Sequence, residues 1–596
     1  MACRTYGYYK YKLVRDGSAR IHRYTGCRGT EIVIPTELEG HPVTAIAGNA
    51  FAGHGELESV TLPRTILYVE GGAFRDCSRL RRVVNLEYAK YIGKRAFAGC
   101  LALVDYRLPA DFNACSKLHI LYAGQFKLGI QADSISLRQY TGTDTEIVLP
   151  EWLTELGPHA FAYCRSLKRI TIPDSVTAIG EAAFEDCTAL TEVALPKGLT
   201  KLGMRAFKGC RSLSSITIPD SVAAIGKAAF EGCTALTEAT LPKGLTKLSA
   251  CAFKDCSSLR RIIIPDSVTA IGKEAFEDCT ALTEVALPQG LTTLGEGAFG
   301  CCSALNSIDL PDQLEKIPNY TFSCCYGLQS VRFPAALKEI GEKTFNRCES
   351  LRSVVLPEGL KALESFAFQY CSQLDEVALP GTLTYVGFDV FDAVYEQIPA
   401  IQRCGGYSYL VRADGAAVIL WYDGNDEELY VPEALNGHPV VIIGGGAFRS
   451  VKGKEERAFR KVVLPDSVIS IGQAAFSTCN RMAELSLPKK LRCIGRNAFV
   501  NCLMLKSVTI PGEQLTIQQN AFLNCWRLEH VILEAELLSV SKKAFADCSA
   551  LQKIEVLSPS SAFTGEMLMP EIWDNVRWIH GYFRQKAESE QQNDHT

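Results

Sequence analysis

Phenylalanine recurs in this chain at a fixed interval of 23 residues: Phe161, Phe184, Phe207, Phe230, Phe253, Phe276, Phe299, Phe322, Phe345, Phe368 and Phe391. The same interval links Phe51, Phe74 and Phe97, and again Phe476, Phe499, Phe522 and Phe545. The stretch AFEDCTALTEVALP occupies 183–196 and returns unchanged at 275–288, four periods later. Few folds accept such a constraint. A copy this short cannot bury an apolar face alone, so successive copies must stack into a solenoid and share one core.

The full copy reads A-F-x-x-C-x-x-L-x-x-[IV]-x-[LI]-P-x-x-[LV]-x-x-[IL]-G. In the coil of Phe184 its fixed positions are Cys187, Leu190, Val193, Leu195, Pro196, Leu199, Leu202 and Gly203. Val193 and Leu195 flank Ala194, the alternation of a strand. Pro196 has no N–H to give a ladder and ends the strand. Gly203 is read as supporting a tight turn. AFxxC is too short for a full helix and predicts one helical or 3-10 turn. Each copy is then one short strand and one compact return. In the middle of the chain IPDSVTAIG (172–180) and LPKGLTKLG (195–203) alternate, a superperiod of 46 residues that points to duplication of a two-coil block.

The pattern CxxLxx[IV]x[IL]Pxx[VL]xxIGxxAF, carried by nineteen copies, resembles the BspA-like class of bacterial leucine-rich repeat. It differs from the general leucine-rich pattern in placing Pro, not Asn, after the strand. The expected fold class is an α/β repeat solenoid: a leucine-rich repeat stack of short parallel strands with short helical or 3-10 turns. The resemblance also implies a binding role, since the family includes surface adhesins of host-associated microbes that contact host matrix proteins.

The register breaks twice, between Phe97 and Phe161 and between Phe391 and Phe448. YKYKLVRDGSARIHRYTG (9–26) matches YSYLVRADGAAVILWYDG (407–424), and both lead to GHPV, at 40–43 and 437–440. FKLGIQADSISLRQYTG (126–142) is a worn version. Asp-Gly between alternating apolar residues signals a hairpin, so each insert is read as a hairpin that opens a solenoid segment and covers its first coil. Four regions follow: an opener with a short repeat segment (1–122), a central solenoid (123–398), a third opener with its segment (399–558), and a terminal helix with a polar tail (559–596). The helix is read from Ile572, Val576, Ile579 and Phe583, and it either caps the last coil or binds a partner.

With 62 basic against 66 acidic residues, the net charge of -4 gives no electrostatic case for a nucleic-acid partner. The opening MACRTYGYYKYKLVRDG has no apolar signal-peptide core, and no stretch approaches about 18 uninterrupted apolar residues. A cytoplasmic protein without a membrane span is expected, with the cell surface or secretion by a non-standard route as the alternative.

Sixteen of the 24 cysteines stand three residues after a repeat phenylalanine, among them Cys187, Cys210, Cys233, Cys256 and Cys279. Stacked coils lie about 4.8 Å apart, so these side chains should form a buried ladder of reduced thiols. A redox or metal role is the alternative reading. His54, Val394 and Val451 take the ladder position in atypical coils, so a thiol is not required there. Cys301 and Cys324 are extra cysteines one coil apart, read as unpaired thiols with a soft-metal or disulfide pair as the alternative. No C-x-x-C pair supplies a zinc site, His41 and His438 belong to the openers, and GGGAF (444–448) lacks a P-loop lysine. No catalytic, cofactor-binding or metal-binding residue is expected, and no enzyme activity. What remains is the outward face of the strands, a candidate ledge for a protein partner formed by Lys168, Arg169, Glu192, Glu238, Arg260, Arg261 and Glu284. The expected function is a non-enzymatic scaffold for protein–protein interaction. A matrix-binding adhesin is the alternative, and an enzyme carried on a solenoid the remote one.

Overall fold

The structure is a computed structural model. It describes residues 3–557 apart from 27–28, 94, 101, 104, 107–118, 124, 132–133, 392–397, 451–455 and 536. The expected helix within 567–586 and the ladder positions Val394 and Val451 lie outside the described residues. The chain forms two compact units, Met1–Leu282 and Thr283–Thr596.

Coil geometry is clearest around Phe184, in the first unit. The strand Glu192–Ala194 alternates exposed, buried, exposed and pairs in parallel with Arg169–Thr171, Glu192 opposite Arg169. After the strand, Leu199 donates its amide to the carbonyl of Pro196 at 3.0 Å, closing a tight turn. A second strand follows that the sequence pattern did not announce. Lys201–Leu202 is only two residues long, yet it pairs in parallel with Ala178–Ile179. Each such coil thus feeds two parallel sheets, not one.

The AFxxC stretch is not helical. Ala182 and Asp186 take left-handed φ values of 51° and 54°, which no α- or 3-10 helix accommodates. The amides of Ala182, Phe184 and Asp186 donate instead to Met204, Ala206 and Lys208 of the next coil, at 2.7–2.8 Å. Amides spent between coils are unavailable for i→i−4 bonds. Among the described residues the helical content is one three-residue 3-10 helix, Leu86–Tyr88. The α/β description is therefore overturned: the fold is a solenoid of parallel strands and turns. Gly203 also has a different reason from the one expected. A Cβ there would stand 2.5 Å from the carbonyl carbon of Gly180, and one at Gly226 2.4 Å from that of Gly203. Glycine lets neighbouring coils approach at this corner.

The repeat phenylalanines form the spine of the core. From Phe161 to Phe276 the rings stack 4.9–5.7 Å apart and within 10° of parallel. The second unit repeats the arrangement from Phe299 to Phe391 at 5.2–5.8 Å, and from Phe448 to Phe545 at 4.9–5.4 Å.

Each opener is an antiparallel hairpin whose last strand turns parallel. In the first, Tyr9–Leu13 pairs antiparallel with Ala19–Tyr24, which then pairs in parallel with His41–Ile46. In the third, Tyr407–Val411 and Ala417–Tyr422 do the same, and Ala417–Tyr422 continues in parallel to His438–Ile443. The GHPV histidines hold the hairpin turns. His41 Nδ1 lies 2.8 Å from the carbonyl of Gly17, and His438 Nδ1 2.8 Å from that of Gly415. Both glycines are left-handed, at 85° and 84°. Asp16 and Asp414 accept the amides of Ser18 and Ala416 across the same turns. Within the second unit the third opener is bonded to the coils before it: Ala413 donates to the Leu379 carbonyl and Gly445 to that of Val386, while Arg449 pairs with Asp389 at 3.1 Å.

Candidate functional site

Core positions consume the inward side of the ledge strands, such as Ile170, Val193 and Ile262, so the side chains open to a partner are those between them. Lys168, Arg169, Glu192, Glu238, Arg260 and Arg261 are all exposed on the strand face of the first unit. Glu284 is exposed at the start of Glu284–Ala286 in the second unit. The ledge charges meet one another. Arg169 bridges two coils, with Nη1 3.3 Å from Glu146 and Nε 3.8 Å from Glu192. Glu238 stands in register beside Arg261. Apolar side chains share the face: Val148 is 75% exposed and Ile263 68%. The ledge is thus a strip of paired opposite charges with exposed apolar points.

The ladder cysteines face the opposite way. Cys187, Cys210, Cys233, Cys256 and Cys279 are fully buried. Each thiol donates to the carbonyl of the phenylalanine one coil earlier, from Phe161 to Phe253, at 3.1–3.2 Å. Burial pushes the thiols of Cys233 and Cys371 up to about 12. A thiol so protonated and enclosed is a poor nucleophile or ligand, and it adds a second donor to a phenylalanine carbonyl that already accepts the amide of the cysteine three residues on. Among the described residues no group of three or more His, Cys, Asp or Glu is placed to hold a metal ion.

One surface escaped sequence reasoning. Tyr320, Lys343 and Phe366 each stand two residues before the repeat phenylalanine, in three successive coils of the second unit, with φ of 58°, 52° and 61°. Lys343 Nζ lies 5.4 Å from the ring centre of Tyr320 and 5.3 Å from that of Phe366. Alongside, Arg347 lies 5.3 Å over Tyr370. Tyr320 is 36% exposed and Tyr370 44%. The signal was available in the positions two before and two after each repeat phenylalanine, read down the stack. The period hides it, because these positions vary from coil to coil.

The first opener adds a cleft of about 590 Å³ between Tyr24–Gly26 and the turn from Asn49 to Leu57. His54, at a ladder position, sits in its wall 5.4 Å from the ring of Tyr24. In the third opener Tyr422 and Gly424 take the sequence places of Tyr24 and Gly26. Arg457, almost fully buried, donates to the carbonyls of Tyr422 at 2.6 Å, Gly424 at 2.5 Å and Arg449 at 3.1 Å.

Residues 23–120, 154–283, 270–397 and 443–567 match the family described as BspA type leucine rich repeat region. Among solved structures, the chain is similar to a leucine-rich repeat protein from Bacteroides ovatus, with 18% identity, 97% of this chain and 100% of that one covered, and a TM-score of 0.34. It is also similar to a leucine rich cell surface protein from Faecalibacterium prausnitzii, with 20% identity, coverage of 78% and 99%, and a TM-score of 0.25. A third similarity is to the pneumococcal vaccine antigen PcpA, with 18% identity, coverage of 63% and 98%, and a TM-score of 0.26. No curated protein matches.

Proposed function

The chain belongs to the BspA-type leucine-rich repeat family, and from that premise we propose that it is a non-enzymatic scaffold that binds protein partners along its exposed strand ledge. The observation that carries this reading is the strip of outward side chains from Lys168 to Arg261, held on rigid stacked strands by a core that uses none of them. Broad contact with a protein surface is what such strips provide in stacked-repeat architectures. The cytosol is the compartment we propose, because a reducing environment keeps a thiol-rich chain unbridged, and this chain has 24 cysteines. The surface adhesin is the competing assignment, and cell fractionation separates the two. Among the described residues no helix is long and apolar enough to cross a membrane.

The test of the ledge is affinity capture from the fraction that contains the protein, comparing wild type with the double variant Arg260→Glu, Arg261→Glu. Both side chains are exposed, so setting like charge beside Glu238 should cost no more than about 1–2 kcal/mol and leave the chain folded. A ledge partner should be captured several-fold less, mainly through slower association. Equal capture of every partner would remove the ledge. A second reading is favoured by Tyr320, Arg347 and Tyr370, because Tyr and Arg are the residue types that anchor interfaces. In that case Tyr370→Ala, and not the arginine pair, abolishes capture.

A further inference from the structure

The residue just before each ladder cysteine is left-handed in coil after coil, and in two adjacent coils it is itself cysteine: Cys301, φ 57°, and Cys324, φ 60°. Their backbones are held alike. Cys301 donates its amide to the carbonyl of Ser323 at 2.7 Å, and Cys324 donates to that of Asn346 at 2.7 Å. Same position, same backbone conformation and adjacent coils place the two α-carbons one coil spacing apart, about 5 Å. Disulfides span α-carbon separations of about 4.4–6.8 Å, and parallel Cβ vectors leave the β-carbons about 5 Å apart, so closure to the roughly 3.5–4.5 Å of a disulfide needs a small local shift.

The neighbouring ladder pair has the same spacing and differs in exposure. Cys302 and Cys325 are fully buried, and the Cys325 thiol is pinned to the carbonyl of Phe299 at 3.2 Å. Cys301 and Cys324 are half-buried, so a small reagent can reach them. Among the described residues they are the one pair of part-exposed cysteines that share a repeat position on adjacent coils. The Cys324 sulfur also lies 3.7 Å from the hydroxyl oxygen of Ser323.

We propose that Cys301 and Cys324 form a dithiol modification site that a small-molecule disulfide of the glutathione class oxidises to a cross-coil disulfide. The Cys324 thiolate attacks one sulfur of the reagent, forming a mixed disulfide and expelling one thiolate. The Cys301 thiolate then attacks the Cys324 sulfur, the protein S–S bond forms, and the second reagent thiolate leaves. The two protein thiol protons pass through solvent to the two leaving thiolates. The protein pair loses two electrons and the reagent gains them.

The test uses the reduced full-length chain. It is incubated with glutathione disulfide, alkylated, digested without reductant and mapped by fragmentation mass spectrometry. The expected product is a Cys301–Cys324 linkage, with two fewer thiols reactive in the native protein than before treatment. Cys301→Ser should trap the glutathione adduct on Cys324. The proposal is overturned if the wild type keeps glutathione on Cys324 while Cys301 is alkylated, or if both cysteines remain alkylated after treatment. A linkage through Cys302 or Cys325 in place of the exposed pair overturns it as well. The wild-type map decides the matter even if the serine variant does not fold.

Discussion

Phe253→Ala tests whether the aromatic spine holds the stack. The ring is fully buried and stacks on Phe230 at 5.3 Å and on Phe276 at 5.7 Å. Its backbone links coils as well: the amide donates to Ala275 at 2.9 Å, and the carbonyl accepts the Cys279 thiol at 3.2 Å. Alanine keeps both backbone bonds and removes the ring. Replacing a buried phenylalanine this way costs about 3–5 kcal/mol. The two lost ring pairs, about 0.5–1.5 kcal/mol each, are contained in that figure and place this site in its upper half. A long repeat array need not unfold in one transition, so the measurement should be local. Native-state hydrogen exchange at the amides of Phe230 and Phe253 reads the damaged coils, and Phe161 reads a distant one. A loss near 4 kcal/mol speeds exchange roughly a thousandfold at the first two. Phe161 should change far less, because each coil touches only its neighbours. Phe253→Leu, which fills most of the space, should cost about 1–2 kcal/mol. If exchange at Phe253 rises less than tenfold, or rises equally at Phe161, the spine is not the local source of stability.

Lys254→Met should cost about 1–2 kcal/mol, between the worth of an exposed and a buried pair, since Lys254 is 25% exposed and bonded to Glu274 at 2.8 Å and to Glu277. Burial pulls the Lys254 ammonium down, but its hydrogen bonds to both carboxylates outweigh this and leave it raised, so its contribution is present below the ordinary lysine range and lost as pH rises through the raised value. Glu274 is held low by the bond from Lys254, so its contribution is present above the ordinary carboxylate range and lost as pH falls. Denaturation curves across pH should therefore show wild type falling off at both ends and the variant flatter at both. In thiol titration, few groups should react before denaturation and many after, given ladder thiols pushed up by burial. A denatured, unreduced chain that still shows almost none would mean a bridged ladder and would sink the cytosolic proposal.

Much of the coil was legible because its constraints recur. Val193, Pro196, Leu199 and Leu202 mark strand, stop and return in a pattern that only stacking satisfies. The error at AFxxC has a definite cause. Ala183, Phe184, Cys187 and Leu190 are buried at spacings of one, three and three residues, which a helix and a chain of tight turns satisfy equally. What separates them is the destination of alternate amides, and here these go to the next coil. A single coil's sequence does not contain that information. The aromatic and cationic array around Lys343 was missed for the converse reason: it lies at positions that the repeat leaves free.

The 46-residue superperiod becomes intelligible only in three dimensions. The residue after the repeat phenylalanine runs Glu185, Lys208, Glu231, Lys254, Glu277 up the first unit. Lys208 meets Glu231 at 2.8 Å, and Lys254 meets Glu277. The ledge alternates as well, with Arg169 set between Glu146 and Glu192 and Arg261 beside Glu238. Copying a single coil would stack glutamate on glutamate in adjacent coils, a repulsion of up to about 1 kcal/mol per contact for exposed side chains. Copying a two-coil block alternates the sign and turns each of those contacts into an attraction. The smallest segment that can be duplicated in this array without that repulsion is therefore two coils, which is the length at which the sequence repeats.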